Sequence, residues 1–148
     1  MSTPAADMSL EFLLIAALCL GGVEGVYRKT VDYMRTRKQQ GRSLYETHQV
    51  VRNELSEMQM KIDMLRGALF FALEKFNSGL DTNPEAAACK YFGTKIFENI
   101  ASRCIELFGG NGVIMDNDIG RYFCDAKVLG PAGGAVNIIR EIATGYIQ

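Results

Sequence analysis

The sequence predicts an all-α protein, an antiparallel up-down four-helix bundle, and three observations carry that expectation. Apolar residues recur at helical spacing along most of the 148-residue chain. No stretch alternates apolar and polar residues as a half-buried strand does. Turn chemistry falls at a few places joined by short connections, so successive helices must double back on one another.

The first helix is the most apolar. Phe12 to Val23 reads FLLIAALCLGGV, an uncharged run that continues without proline to about Arg35, and it is assigned to a buried helix. The run of 12 residues is shorter than the roughly 20 that cross a bilayer. A secretory signal needs basic residues ahead of such a run, whereas Asp7 and Glu11 precede it and the first basic residue is Arg28. A small membrane-associated protein rests on this run alone.

The second helix has the clearest pattern. Val51, Leu55, Met58, Ile62, Leu65, Leu69, Ala72 and Phe76 alternate steps of four and three with charges between them, the stripe of a bundle helix. It is expected to stop near Asn77, because Ser78 and Gly79 end helices and LDTNP follows. Asn83 then reads as a cap, Pro84 as a first-turn residue and Glu85 as a favourable charge at the positive helix end. This third helix is expected to run to Phe108 with Phe92, Ile96, Ile100 and Leu107 buried, and GGNG at Gly109 to Gly112 ends it.

A polar turn at Asp116, Asn117 and Asp118 leads into a segment through Arg121, Phe123 and Lys127 whose type stays open. After LGPAGG the last helix spans about Ala135 to Ile142, with Val136, Ile138, Ile139 and Ile142 apolar. Residues 1–148 therefore form a single helical domain, with 1–9 a small, polar leader.

Composition narrows the function classes. Sixteen Lys and Arg against 17 Asp and Glu leave a net charge of -1, without the basic excess that a phosphate-backbone reader needs. The 4 cysteines, Cys19, Cys89, Cys104 and Cys124, form no CxxC pair and there is 1 histidine, which argues against a zinc cage or a disulfide framework and for a reduced, cytoplasmic setting. GGNG is not a dinucleotide fingerprint, since it follows a helix and lacks the third glycine at the required offset. Spacing alone points to no nucleophile, metal site or phosphate loop.

Four blocks in fixed order carry more: YMRTRKQQGRSL (Tyr33 to Leu44), HQVVRNELSEM (His48 to Met58), ELFGGNGVIMDNDIGRYFCDAK (Glu106 to Lys127) and GPAGGAVNIIREIA (Gly130 to Ala143). Together they resemble the C-terminal helical domain of the flavin-dependent acyl-CoA dehydrogenases. The third block is the most specific, being similar to the family's QxxGGxGY stretch followed by RYxRDAK. The resemblance implies FAD as cofactor, an acyl-CoA substrate, an electron-transferring flavoprotein as redox partner, and a homodimer or homotetramer. It also implies loss of the α proton to a carboxylate base and of the β hydrogen as hydride to the flavin, giving a trans enoyl-CoA. Relatives have an N-terminal helical domain and a central β domain besides, so this chain alone is expected not to dehydrogenate.

Many relatives place the base in a YEGT block before the last helix. Here that block is Ala132, Gly133, Gly134 and Ala135, so a glycine stands in the base position. A second branch, which includes isovaleryl-CoA and long-chain dehydrogenases, also has a small residue there. It carries its glutamate at the front of an ERLxxA stretch on the first bundle helix, 26 residues before the arginine of an RxxFG block. Counting 26 back from Arg37 reaches Glu11, followed by Phe12, Leu13, Leu14, Ile15 and Ala16. Glu11 is therefore expected to be the catalytic base, partly desolvated by the apolar run. Its plain reading is a charge that favours a helix N-terminus. Glu24, on the extrapolated buried stripe, is a lesser rival.

For the cofactor, the same resemblance assigns Arg37 to the FAD pyrophosphate and brings His48 and Gln49 towards it. The backbone at Gly109 and Gly110 would admit the adenine half of a neighbouring subunit's FAD, where a Cβ blocks close approach. Other cofactor positions carry departures from the family: Gln40 replaces a phenylalanine, Glu106 a glutamine, and Ala135 and Asn137 a threonine and a glutamate. Val113 and Cys124 replace a tyrosine and an arginine. Glu106 is the most awkward, because a carboxylate repels a pyrophosphate where an amide donates. On the plain reading Arg37 and Arg121 are solvated or paired charges, His48 is a surface histidine and Gly109 to Gly112 a corner. The alternative function is a non-catalytic oligomerisation module of the same fold.

Overall fold

The computed structural model describes residues 8–134 and 136–143. Four long or medium helices make the bundle: α1 (Ser9–Thr36), α3 (Gln49–Asn77), α4 (Asn83–Phe108) and α5 (Ile119–Leu129). Between α1 and α3 lie a two-stranded hairpin, β1 (Lys38–Gln39) with β2 (Arg42–Ser43), and the one-turn helix α2 (Leu44–Thr47). Two 3-10 turns, Gly109–Val113 and Met115–Asn117, connect α4 to α5, and α6 (Val136–Ala143) packs on α4.

Cross-helix pairs fix the directions. Arg66 bonds Glu24 and Lys75 bonds Glu85, so α3 runs against both α1 and α4. Lys29 bonds Asp118 and Lys127 bonds Glu98, so α5 runs against the same two. The expected up-down-up-down bundle is therefore present, but its fourth member is α5, the segment left open by its sequence, and not the last helix. Only Ile119 and Ala126 of α5 are buried, too few to show a period in 11 residues.

The parallel diagonal pair α1 and α4 packs along small residues. A Cβ added to Gly93 would meet the Cys19 side chain at 3.5 Å and the Ala16 backbone at 3.7 Å, and one on Gly22 would strike the Phe97 ring at 2.5 Å. Around that contact lies a large core, with Val23, Val26, Leu55, Ile62, Phe97, Ile100 and Cys104, and a second core of Phe12, Leu13, Leu69, Ala86, Ala87 and Ile139 near the start of α1.

Several expectations need correction. By length and composition an 18-residue window of α1 is apolar enough to cross a membrane, so the shortness of the uncharged run does not settle that question; nearly half of the window is buried inside the bundle. On α4, Phe92 is exposed and Ile96 and Leu107 are only half-buried, while Ala86, Gly93, Phe97, Ile100 and Cys104 face inward. The inward face follows the small residues because that is where α1 comes closest. Thr82, not Asn83, precedes α4, and the Asn83 side chain accepts a bond from Ser9 Oγ at 3.0 Å, tying the starts of α1 and α4 together. Ile139 is buried and Ile138 exposed on α6; residues 1–7 of the expected leader lie outside the described residues.

Burial pushes the Cys19 thiol up to about 12 and those of Cys89 and Cys104 to about 11, while Cys124 is exposed. Raised thiol pKa values suppress the reactive thiolate. An aromatic disulfide reagent at pH 8 is therefore expected to label Cys124 quickly in the native chain and the other three only after denaturant, which a thiol-release assay reads directly.

Candidate active site and cofactor cleft

The expected site residues fall at two ends of the molecule. At one end, Glu11 stands in the first turn of α1 immediately before the fully buried Phe12. The chain returns to this place between α5 and α6 through a turn in which the Gly134 N–H bonds the Pro131 carbonyl at 3.2 Å. Gly133 and Gly134 have φ of 67° and 125°, backbone that side chains other than glycine rarely adopt. A Cβ built on Gly133 would lie 2.7 Å from Glu11 Oε1 and 2.7 Å from Ile15 Cδ1. The Glu11 carboxylate thus lies against the backbone of the glycine that occupies the alternative base position.

Glu11 is exposed, so the partial desolvation expected from its apolar neighbours is not produced by this chain itself: Phe12, Leu13 and Ile15 turn into the cores and leave Glu11 on the outer face. No ion pair or hydrogen bond holds its carboxylate among the described residues. Glu24, the rival, is paired with Arg66 Nη2 at 2.7 Å. Sequence reasoning missed Lys90, which is fully buried on α4 and donates from Nζ to the Gly134 carbonyl at 3.2 Å.

At the other end, Tyr33, Arg37, Leu44, Phe108, Gly109, Gly110 and Asn111 line an open cleft of about 530 Å³. Tyr33 and Phe108 stack with centroids 4.0 Å apart, and Asn111 Nδ2 donates to Tyr33 Oη at 2.8 Å, so the aromatic floor is braced from both sides. Tyr33 and Asn111 were not among the residues expected from the sequence; Tyr33 precedes Arg37 by one helical turn and Asn111 lies inside GGNG, signals that could have found them. No described residue lies within 4 Å of a Cβ built on Gly109 or Gly110, so within the chain Gly109 is required for its φ of 59°, and the sterically demanded glycine is Gly112, whose Cβ would lie 2.6 Å from the Ile105 carbonyl.

The other expected contacts are dispersed. Gln40 has φ of 51° in the tight turn with Gly41 that joins β1 to β2, a conformation suited to a two-residue hairpin. His48 is exposed, its Nε2 3.2 Å from Gln39 Oε1, and Gln49 is exposed at the start of α3. Glu106 does not line the cleft; it pairs with Arg103, which also holds Glu54 of α3. One guanidinium shared by two carboxylates leaves a net negative charge there, but it lies outside the lining of the cleft. Asn137 is exposed on α6, and Ala135 lies outside the described residues. Arg121 pairs with Asp118 at 3.5 Å and takes no part in the cleft.

Arg37 carries no carboxylate partner among the described residues, and the glycine backbone beside it leaves room for a ligand. A guanidinium next to open backbone suits a diphosphate, so this end fits the acidic part of a dinucleotide.

Residues 5–145 match the family described as acyl-CoA dehydrogenase, C-terminal domain. The acyl-(acyl-carrier-protein) dehydrogenase MbtN of Mycobacterium sp. (strain MCS) is 34% identical over 141 residues, covering 93% of this chain and 35% of that protein. The mitochondrial long-chain specific acyl-CoA dehydrogenase of Rattus norvegicus is 27% identical over 141 residues, covering 95% of this chain and 33% of its own length. Butyryl-CoA dehydrogenase from Megasphaera elsdenii shares the fold, with a TM-score of 0.90 at 24% identity over 95% of this chain and 36% of that one. A helical bundle with these blocks in this order defines one class of domain. The chain belongs to the acyl-CoA dehydrogenase family and corresponds to its C-terminal domain. It spans about a third of the length of these relatives.

Gly133→Ala places an L side chain in left-handed backbone and is expected to cost about 1–2 kcal/mol, read by urea unfolding. Adding Glu11→Ala leaves most of that cost in place, because the backbone sets it and a carboxylate at the end of a flexible side chain yields.

Proposed function

We propose that this chain is the C-terminal bundle of a flavin-dependent dehydrogenase that removes the α and β hydrogens of acyl-CoA thioesters, with Glu11 as the base. The observation that carries this reading is the Glu11 carboxylate seated against Gly133. Two elements distant in sequence meet there, and a residue larger than glycine at 133 would contest the space of the carboxylate. Glu11 takes the proton from the acyl α carbon, and as an exposed group it depends on other parts of the enzyme to exclude water from it. FAD, when bound, supplies the acceptor for the β hydrogen as hydride. Arg37 meets the diphosphate of a second FAD, that of a neighbouring copy, and the open backbone of Gly109 and Gly110 takes the adjoining half of that cofactor, with Tyr33 and Asn111 shaping the wall. His48 and Gln49 are placed near it through family resemblance, as are Gln40, Ala135 and Asn137, and Glu106 acts there only through its pairing with Arg103.

Glu11 and Arg37 stand at opposite ends of α1. At about 1.5 Å per residue, roughly 40 Å of helix separates them, more than one extended dinucleotide spans. One chain therefore serves two cofactors, which requires a homodimer or homotetramer. The exposed apolar side chains of Met64, Phe71 and Phe92, around a groove of about 390 Å³ between α3 and α4, support that assembly. An electron-transferring flavoprotein receives the electrons, and the setting is cytoplasmic. The position of Glu106 outside the lining of the cleft, turned to Arg103, weighs against the non-catalytic alternative, since it weakens the strongest objection to an anionic ligand.

In the enzyme completed by the family's two other domains, Glu11→Gln is expected to lower turnover about 10²–10⁴-fold with FAD retained, measured by dye reduction with acyl-CoA. Full turnover in that variant overturns the assignment, and turnover only with acyl-carrier-protein thioesters would change the substrate. Arg37→Ala is expected to weaken FAD retention on gel filtration without lowering the melting temperature of the bundle.

A further inference from the structure

Lys90 is the charged residue least expected where it is found. It lies on the inward face of α4, among Ala86, Ala87 and Gly93, and none of its surface reaches solvent. An ammonium has three donors and is strongly hydrated in water. Here one donor reaches the Gly134 carbonyl at 3.2 Å, and the charge sits 5.0 Å from the centre of the Phe12 ring. A methionine or leucine of similar volume would fill the same space without the desolvation that an ion suffers. Packing alone does not account for a lysine at this position.

Its partners give the reason. Gly134 is joined directly to Gly133, whose backbone lies against the Glu11 carboxylate, and Phe12 is joined directly to Glu11. Lys90 therefore touches the residue next to each member of the Glu11–Gly133 contact. Burial pulls the Lys90 ammonium below the ordinary lysine range, while Glu11, and to a smaller degree Cys19, pull it back up. Of the other charges nearby, Arg140 of α6 is taken up by the Tyr91 hydroxyl at 3.0 Å and Glu85 by Lys75 at 2.6 Å. Glu141 of α6 is exposed and has an interaction of its own.

We propose that Lys90 is a positioning residue for Glu11: its ammonium holds the Gly134 carbonyl, fixes the Gly133 backbone as the wall on which the Glu11 carboxylate rests, and sets a buried positive charge beside it. Among the described residues of the turn between α5 and α6 are two positive-φ glycines, both conformationally permissive, and a backbone bond from Gly134 N–H to the Pro131 carbonyl. A cation reaching it from α4 ties the turn to the bundle. The role rests on the reading of Glu11 as base, but the geometry it describes is independent of substrate and cofactor.

The test uses the isotope-labelled 148-residue chain and nuclear magnetic resonance. In Lys90→Met the Gly133 and Gly134 amides are expected to exchange with water at least about tenfold faster, with the amides of α3 unchanged and the melting temperature equal or higher. A folded Lys90→Met chain with unchanged exchange at these two glycines overturns the proposal. The second measurement follows the Lys90 Nζ titration in the parent chain and in Glu11→Gln. Removing the carboxylate charge is expected to lower the Lys90 midpoint, which a lysine serving only to fill space near α6 would not show; an unmoved midpoint also overturns the proposal. Should Lys90→Met fail to fold, this second measurement, made in a chain that keeps Lys90, decides alone. Neither readout involves turnover, so loss of the Lys90 role leaves the Glu11→Gln activity test intact, and the reverse holds as well.

Discussion

The close approach of α1 and α4 is the constraint on which everything else rests. These helices run parallel across the diagonal of the bundle, with Ala16 and Cys19 facing Gly93 and the Phe97 ring filling the space over Gly22, where another carbon would clash. Two helices meet this closely only where side chains are small, and the ridge of one then fixes the height of the other along the shared axis. That height places Phe12 over Lys90 and the start of α1 beside the start of α4, where Ser9 bonds Asn83. At the far end it sets Tyr33 against Phe108. Both candidate ligand regions are therefore consequences of one interhelical contact, although neither lies in it.

The α1 helix is a ruler as well as a core element. Its first turn carries a carboxylate on the outer face and its C-terminal cap carries a guanidinium beside an open cleft. A rigid helix of 28 residues keeps these groups at a fixed separation that loops do not provide. The hairpin that follows, closed through Gln40 and Gly41, and the capping box in which Ser43 Oγ accepts from Glu46 N–H while Glu46 accepts from Ser43 N–H, give the chain a sharp reversal. Arg52 then donates to the Tyr45 and Glu46 carbonyls and clamps α2 onto α3. The wall of the cleft near Leu44 is thus braced by local chemistry rather than by the large core.

At the opposite end the bracing is long-range. A turn with two positive-φ glycines is held by a lysine from another helix, and a carboxylate from a third element lies on it. Such a site tolerates little substitution at Gly133 chiefly because its backbone is left-handed, and a side chain there would also displace the Glu11 carboxylate. A side chain arriving from α1 and one arriving from the turn would contest the same volume.

How much of this was legible depends on how one-sided each segment is. The α3 stripe from Val51 to Ala72 was read fully because that helix meets the bundle on one face and water on the other. The α4 stripe was misread because its deepest contacts use alanine and glycine, which carry little hydropathy, while the larger Phe92 lies outside. Lys90 escaped notice because a lone lysine reads as solvent-facing until a neighbouring carbonyl and ring are known to surround it. The hairpin and α2 were missed because two-residue strands and a single turn have no period to read. The sequence by itself determined the all-α class, the long helices and the family, since periodicity, turn chemistry and block order are local properties of the chain. Only the tertiary structure decided that α5 completes the bundle, that Glu11 meets Gly133 and that Glu106 is turned to Arg103, because each depends on which surfaces small residues allow to come together.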